Sequence, residues 1–186
     1  MQYLSIFKSL TKNQSWLKYG TAILAGSLFL TLSSKIDIPF WPVPITMQSF
    51  AVIFLSALYG RNLAIATVTT YILEGALGIP VFQGMKVGAA ALLSPTGGYI
   101  LGFLLTAFVI GSLADRGWGK THLSAVSLFI LGAIVIDIPG IAWLLSFVGT
   151  EQVVQIWLSY QIAFILKTGL GTIVIPMIKN RKISNF

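Results

Sequence analysis

Charged side chains in this sequence fall almost entirely at the ends of long apolar stretches. That placement constrains the fold more than any motif does. Between Lys120 and Lys179 the chain carries only Asp137, Glu151 and Lys167 as charged residues. Of its residues 9% are charged and 56% are hydrophobic, whereas a soluble domain carries about 25% charged residues. A water-soluble fold would have almost nothing to place on its surface, so the expected class is an all-α integral membrane protein. The net charge of +7 does not point to nucleic acid, because the basic residues flank apolar segments as membrane-adjacent charges do. The chain has no cysteine, which excludes disulfides, thiolate metal sites and a cysteine nucleophile.

Six apolar segments are expected to span the bilayer, at about Trp16–Leu32, Ile45–Tyr59, Leu63–Leu77, Gly98–Leu113, Leu123–Phe147 and Val153–Ile178. They predict a six-transmembrane-helix bundle with irregular outer loops. Residues 1–186 form one transmembrane domain, with a short polar N-terminal segment over 1–15 and a basic C-terminal tail over 179–186. No small-residue cleavage motif follows an apolar core in residues 1–15, so no signal peptide is expected. The second and third segments are short beside the ~20 residues that cross a bilayer. Pro39, Pro42 and Pro44 forbid a helix between the first two segments, and Pro139 predicts a kink in the fifth.

With six spans both termini share one side. That side carries Lys8, Lys12, Lys18, Arg61, Arg116, Lys120, Lys179, Arg181 and Lys182, against Lys35 and Lys86 on the other. The bias places both termini in the cytoplasm of a cell (inner or plasma) membrane, and the Pro-rich and Gly-rich loops on the outer face.

The segment Ile79–Phe103 is too broken by Gly and Pro for one helix and too apolar for a solvent loop. Irregular backbone at a membrane needs protein or a water-filled cavity against it, so this stretch reads as the wall or lid of a pocket. Gly84, Gly88, Gly97 and Gly98 permit positive φ or the close approach of another group. Lys86 adds a cation to the same stretch.

Lys167 lies inside the sixth span, and an intramembrane charge faces a cavity or a partner because burying it in lipid costs on the order of 3 kcal/mol or more. It reads as a ligand contact, or as a structural ion pair with Asp137 or Glu74, or as a snorkelling side chain. Asp137 is the other deep charge, and accepting from a ligand N–H or pairing with Lys167 fit it equally. Glu74 fits a structural or gating role better. Thr46 and Gln48 either donate to a ligand or cap the start of the second span. Trp143, Trp157, Tyr71 and Tyr99 suit interface or core positions, and Tyr99 adjoins Gly97–Gly98 in the wall. Ala22 and Gly26, four apart on the first span, suit close helix contact, either internal or with a partner membrane protein.

Enzyme signatures are sparse. His122 reads as a helix-end residue, and no His/Cys/Asp/Glu grouping has metal-ligand spacing. No Gly-rich loop ends in Gly-Lys-Ser/Thr, so the chain has no nucleotide-phosphate cradle. No catalytic residue, cofactor or metal is expected, and uphill transport would draw its energy from a partner or an ion gradient.

Three motifs, Pro42-Val-Pro-Ile-Thr-Met-Gln48, Tyr71-Ile-Leu-Glu-Gly-Ala-Leu-Gly-Ile-Pro-Val-Phe82 and Leu92-Leu-Ser-Pro-Thr-Gly-Gly-Tyr-Ile-Leu-Gly-Phe103, together with Asp115-Arg-Gly-Trp118, resemble the BioY family. These are the biotin-binding S components of energy-coupling factor transporters. The resemblance runs in register from about residue 20 to 178. It implies six helices, an outward-facing biotin pocket, and partners comprising one transmembrane coupling protein and two ATPases. It also implies that Ala22 and Gly26 help meet the coupling protein. The family's Gly-Asp-x-x-Lys pattern in the last helix, in which Asp and Lys contact biotin, retains its lysine here as Lys167. Phe164 stands at the Asp position and Ala163 at the Gly. The family's Gly-Gly-x-Gly-Gly loop reads Gly84-Met-Lys-Val-Gly88. The resemblance leaves Lys86 or Lys167 for a carboxylate, and Asp137 as a substitute acceptor for ureido N–H groups.

Overall fold

A computed structural model describes the backbone of residues 2–84 and 87–183, and side chains over 16–84 and 87–180. Helix α1 runs from Gln2 to Lys35. The expected polar lead-in of residues 1–15 is thus helical from Gln2 onward, because no proline precedes Pro39 and the first glycine is Gly20. The inward face of α1 buries Gly26, Ser27, Leu30, Ser33 and Ser34. Leu24, Leu28 and Leu32 point outward, each more than half exposed, as a lipid-facing stripe would.

After α1 come two short strands, β1 (Asp37–Ile38) and β2 (Ile45–Thr46). They pair antiparallel with Asp37 opposite Thr46 and Ile38 opposite Ile45. Ile45 and Thr46 were expected to open the second span. They extend instead, since Pro44 cannot feed a helical ladder and both residues are β-branched. Met47 N–H closes the hairpin onto Ile36 O at 3.0 Å.

Helix α2 (Gln48–Tyr59) and helix α3 (Arg61–Ala76) are separated by Gly60 alone. Gly60 has φ +75°, and a Cβ there would lie 2.1 Å from Asp115 Oδ1. Asp115 Oδ2 in turn accepts from Arg61 N–H at 3.1 Å. The irregular stretch holds one short helix, α4 (Ala89–Leu92). Then follow α5 (Gly97–Asp115), α6 (His122–Leu144) and α7 (Thr150–Ile183). α6 begins with a capping box between Thr121 and Ser124, contains Pro139, and ends three residues short of Phe147. His122 is its first residue, and its Nδ1 lies 2.9 Å from Thr172 O on α7. α7 starts before the expected Val153 and continues through the basic stretch. Lys179 Nζ caps the α5–α6 turn by donating to Trp118 O at 2.5 Å.

Helix α2 sits in the middle, packed against α1, α3, α5, α6 and α7. Phe50 stacks on Phe54 and Phe129 with ring centroids 5.4 and 5.6 Å apart. α5 and α6 approach closely because Gly98 and Gly102, one turn apart, leave room for the α6 backbone. A Cβ on Gly98 would meet Pro139 O at 2.5 Å, and one on Gly102 would meet Ile136 O at 2.8 Å. This is small-xxx-small packing.

Among the described residues, three helices are long and apolar enough to cross a membrane, α5, α6 and α7. α2 is apolar but only 12 residues long, about 18 Å of helix against a ~30 Å hydrocarbon core. The chain is a mostly helical membrane protein, and length and apolarity single out three of its helices rather than the expected six.

Candidate functional site

A cavity of about 300 Å³ lies between the start of α2, the first turns of α5, the middle of α6, the first half of α7, and the loops before α2 and α4. Its size is at the lower end for small-molecule pockets. Most of its wall is apolar, with Ile100, Phe103, Ile136 and Phe164 among the lining side chains. Polar side chains interrupt that wall, and most of them are bonded to neighbours in the protein.

Lys167 reaches the cavity from α7 and belongs to its lining. Its Nζ donates to Thr46 O at 2.7 Å and to Ser49 Oγ at 3.0 Å. An ammonium group has three N–H donors, so one remains for a guest. The alternatives of an ion pair with Asp137 or Glu74 are not what forms. Asp137 Oδ2 accepts from Trp157 Nε1 at 3.1 Å, and Glu74 accepts from Ser27, tying α3 to α1. Asp137 and Lys167 therefore line one cavity as separate poles, a carboxylate and an ammonium.

Gln48 and Thr46 also line the cavity. The N-cap of α2 is Met47, and it makes no side-chain capping bond. Thr46 Oγ1 instead accepts from Gln48 N–H at 3.2 Å and lies 3.2 Å from Gln48 Oε1. Gln48 Nε2 donates to Tyr71 OH at 2.6 Å, and Tyr71 OH donates onward to Val81 O at 3.0 Å. Of the two positions expected for it, interface or core, Tyr71 takes the core, fully buried behind Gln48. Tyr99 lines the cavity too, its ring seated on the α6 backbone at Gly140. Tyr160 OH donates to Val43 O, which ties α7 to the Pro-rich loop.

Several expected contacts fall elsewhere. Gly84 has φ +67° and is absent from the lining; its carbonyl accepts from Lys35 Nζ at 2.8 Å. Gly97 and Gly98 are packing positions. A Cβ on Gly97 would lie 1.8 Å from Leu92 O, and one on Gly98 would lie 2.3 Å from Trp143 Cβ. Trp143 itself donates to Ser94 O at 3.0 Å, clamping the α4–α5 turn onto α6. Lys86 lies outside the described residues. Gly26 faces inward, where a Cβ would meet Thr67 Cγ2 at 2.6 Å, whereas Ala22 is half-buried and its carbonyl accepts from Tyr59 OH at 3.1 Å. The missing side chain of Gly26 makes room for Tyr59 of α2 and Thr67 of α3.

Ser49, Tyr160 and Gln161 were missed. Trp157, Tyr160, Gln161, Phe164 and Lys167 recur at helical spacing on one side of α7, so extending that side from Lys167 would have found Tyr160 and Gln161, though not Ser49 on α2. Among the described residues, no group of three or more His, Asp or Glu side chains is arranged to hold a metal ion.

The fold has a solved counterpart. The crystal structure of the S-component for biotin from an ECF-type ABC transporter superposes with a TM-score of 0.80 at 24% identity, covering 90% of this chain and 94% of that one. Among curated proteins, the biotin transporter BioY of Thermotoga maritima is 40% identical over 120 residues, 59% of this chain and 71% of its own length. The probable biotin transporter BioY of Rickettsia prowazekii is 31% identical over 82% of this chain and 78% of its own length. These relatives are named as transporters, not as enzymes. The sequence model of the BioY family matches residues 9–183, nearly the whole helical array from α1 to the end of α7. The chain belongs to the BioY family.

Proposed function

We propose that this chain captures biotin in the α2–α5–α6–α7 cavity and takes it across the membrane as the substrate-binding component of an energy-coupling factor transporter. The observation that carries this reading is a mostly apolar cavity holding one ammonium and one carboxylate that do not bond to each other. Biotin has an apolar ring and chain, a carboxylate, and a ureido head that both donates and accepts. Its carboxylate takes the remaining N–H of Lys167, and its ureido N–H groups donate to Asp137. Thr46, Gln48 and Tyr99 complete the polar contacts. α1, α2, α3, α5, α6 and α7 are the six spans of a single domain, with the short helices buried at one end in protein. Both termini are cytoplasmic and the cavity faces outward. Energy comes from a partner coupling protein and its ATPases.

Uptake of radiolabelled biotin by cells that carry or lack such a coupling module tests the proposal. Uptake is expected only with the module; equal uptake without it would make the chain a solitary transporter. Asp137→Asn keeps the shape but replaces the charged acceptor, and is expected to weaken biotin binding about tenfold, the scale of a hydrogen bond to a charged group. Unchanged affinity would remove Asp137 from the site. Phe164 in the wall, at the position of the family's Asp, favours a second reading, a related small carboxylate with a less polar head. Competition against biotin by other vitamin carboxylates separates the two.

A further inference from the structure

Every residue from Val81 to Gly84 is bonded to the end of α1 or the start of β1. Ser34 Oγ donates to Val81 O at 2.8 Å. Lys35 Nζ donates to Phe82 O at 2.6 Å and to Gly84 O at 2.8 Å. Gln83 Nε2 donates to Asp37 Oδ2 at 2.9 Å. A single stretch of chain, Ser34 to Asp37, therefore fixes four consecutive residues some forty-seven positions away in sequence.

Those residues stand at a boundary. Phe82 and Gln83 line the cavity. Gln83 also lines an outer hollow formed with Phe40, Trp41 and Pro42 of the Pro-rich loop. Phe82 is anchored by packing, edge-on to Tyr71 with ring centroids 5.4 Å apart. Gln83 and Gly84 have no such anchor: Gln83 is half-buried, Gly84 is exposed, and a Cβ on Gly84 would meet nothing within 4 Å. Polar bonds, not packing, hold this half of the partition. Lys35 is exposed, so water competes for its ammonium group and its bonds are of the modest kind that break and re-form readily.

We propose that Lys35 and Asp37 are positioning residues that hold Phe82–Gly84 as the partition between the cavity and the outer hollow, and so set how fast the guest escapes. The proposal rests on the reading that the cavity is the ligand site. Breaking the latch lowers the barrier between cavity and hollow in both directions without touching Lys167 or Asp137, so association and dissociation speed up together and affinity changes little.

The test measures association and dissociation rates of radiolabelled biotin on full-length protein in nanodiscs. Lys35→Ala is expected to speed dissociation and association alike, roughly tenfold, with little change in affinity, since one group makes two charge-assisted bonds. Lys35→Arg, whose fork can span both carbonyls, is expected to restore slow release. Unchanged dissociation in Lys35→Ala, or a loss of affinity that Arg does not rescue, overturns the proposal. A second readout needs no ligand. The chain has no cysteine, so Ala133→Cys places a single thiol in the cavity wall. Its labelling by a membrane-impermeant maleimide is expected to be faster when Lys35 or Asp37 is replaced by Ala. Equal labelling rates overturn the latch. Failure of wild-type protein to bind biotin, with labelling still faster in the variants, overturns the ligand assignment and leaves the latch standing.

Discussion

Lys167→Met is expected to weaken biotin binding by about 2–5 kcal/mol, roughly thirtyfold to several thousandfold, the usual loss when one member of a buried charged pair is removed. Met keeps the apolar stem and deletes only the ammonium group. Two consequences combine. The ligand carboxylate loses its cation in a cavity whose wall is mostly apolar, and Thr46 O and Ser49 Oγ lose the donor that now reaches them at 2.7 and 3.0 Å. The second effect belongs to the empty protein, so it appears in thermal unfolding without ligand. The first appears only in binding. Equilibrium binding of radiolabelled biotin to wild-type and variant protein measures the first, and thermal unfolding without ligand the second. A loss of affinity with little change in the unfolding midpoint assigns Lys167 to the ligand. A large fall in the midpoint with unchanged affinity would assign it to the frame. Ser49→Ala removes one of the two acceptors and leaves the charge, so its effect on affinity is expected to be smaller.

The second large effect is structural. Gly98→Ala puts a methyl group 2.3 Å from Trp143 Cβ and 2.5 Å from Pro139 O, and neither can yield without moving α6. Overpacking of this kind costs about 1–3 kcal/mol or more, which corresponds to roughly 2–12 °C in the unfolding midpoint for a chain of this size. Gly97→Ala meets a backbone oxygen, Leu92 O, at 1.8 Å, and is expected to do at least as much by pushing α4 off α5. Gly20→Ala is the control. It lies in α1 with nothing within 4 Å of the added Cβ, and alanine is the better helix former by about 1 kcal/mol, so the midpoint should hold or rise. Thermal denaturation followed by circular dichroism in one detergent compares the three. A Gly98→Ala midpoint equal to that of Gly20→Ala would contradict the packing role.

How much of this was legible in the sequence differs by residue. Lys167 and Asp137 stood out because charge inside an apolar run is costly wherever it lies, and both do line the cavity. Pro39, Pro42, Pro44 and the glycines marked the irregular segments correctly, since backbone stereochemistry is a local property. Gly84 and Gly88 take the positive φ expected of them. Gly97 and Gly98 were read as part of the ligand-facing rim, but they make room for Leu92 O and Trp143. A glycine's local freedom does not say what approaches it. The β1–β2 hairpin was missed because a two-residue strand has no periodicity, and its register depends on residues seven and nine apart pairing across three prolines. Ala22 and Gly26 show the same limit. Spacing put them on one face of α1, and only the neighbouring helices reveal that Gly26 packs against Tyr59 and Thr67 while Ala22 beside it stays half-buried. Ser49 gave no signal of its own, being one of many serines in the chain, and it matters only because Lys167 comes to it from α7.

The most direct test of the account is a crystal structure of the protein grown with biotin. The ligand is expected between α2, α6 and α7, its carboxylate within hydrogen-bond reach of Lys167 Nζ and its ureido N–H groups facing Asp137. Biotin bound elsewhere, or a cavity left empty at saturating biotin with Lys167 still bonded to Thr46 and Ser49 alone, would contradict it.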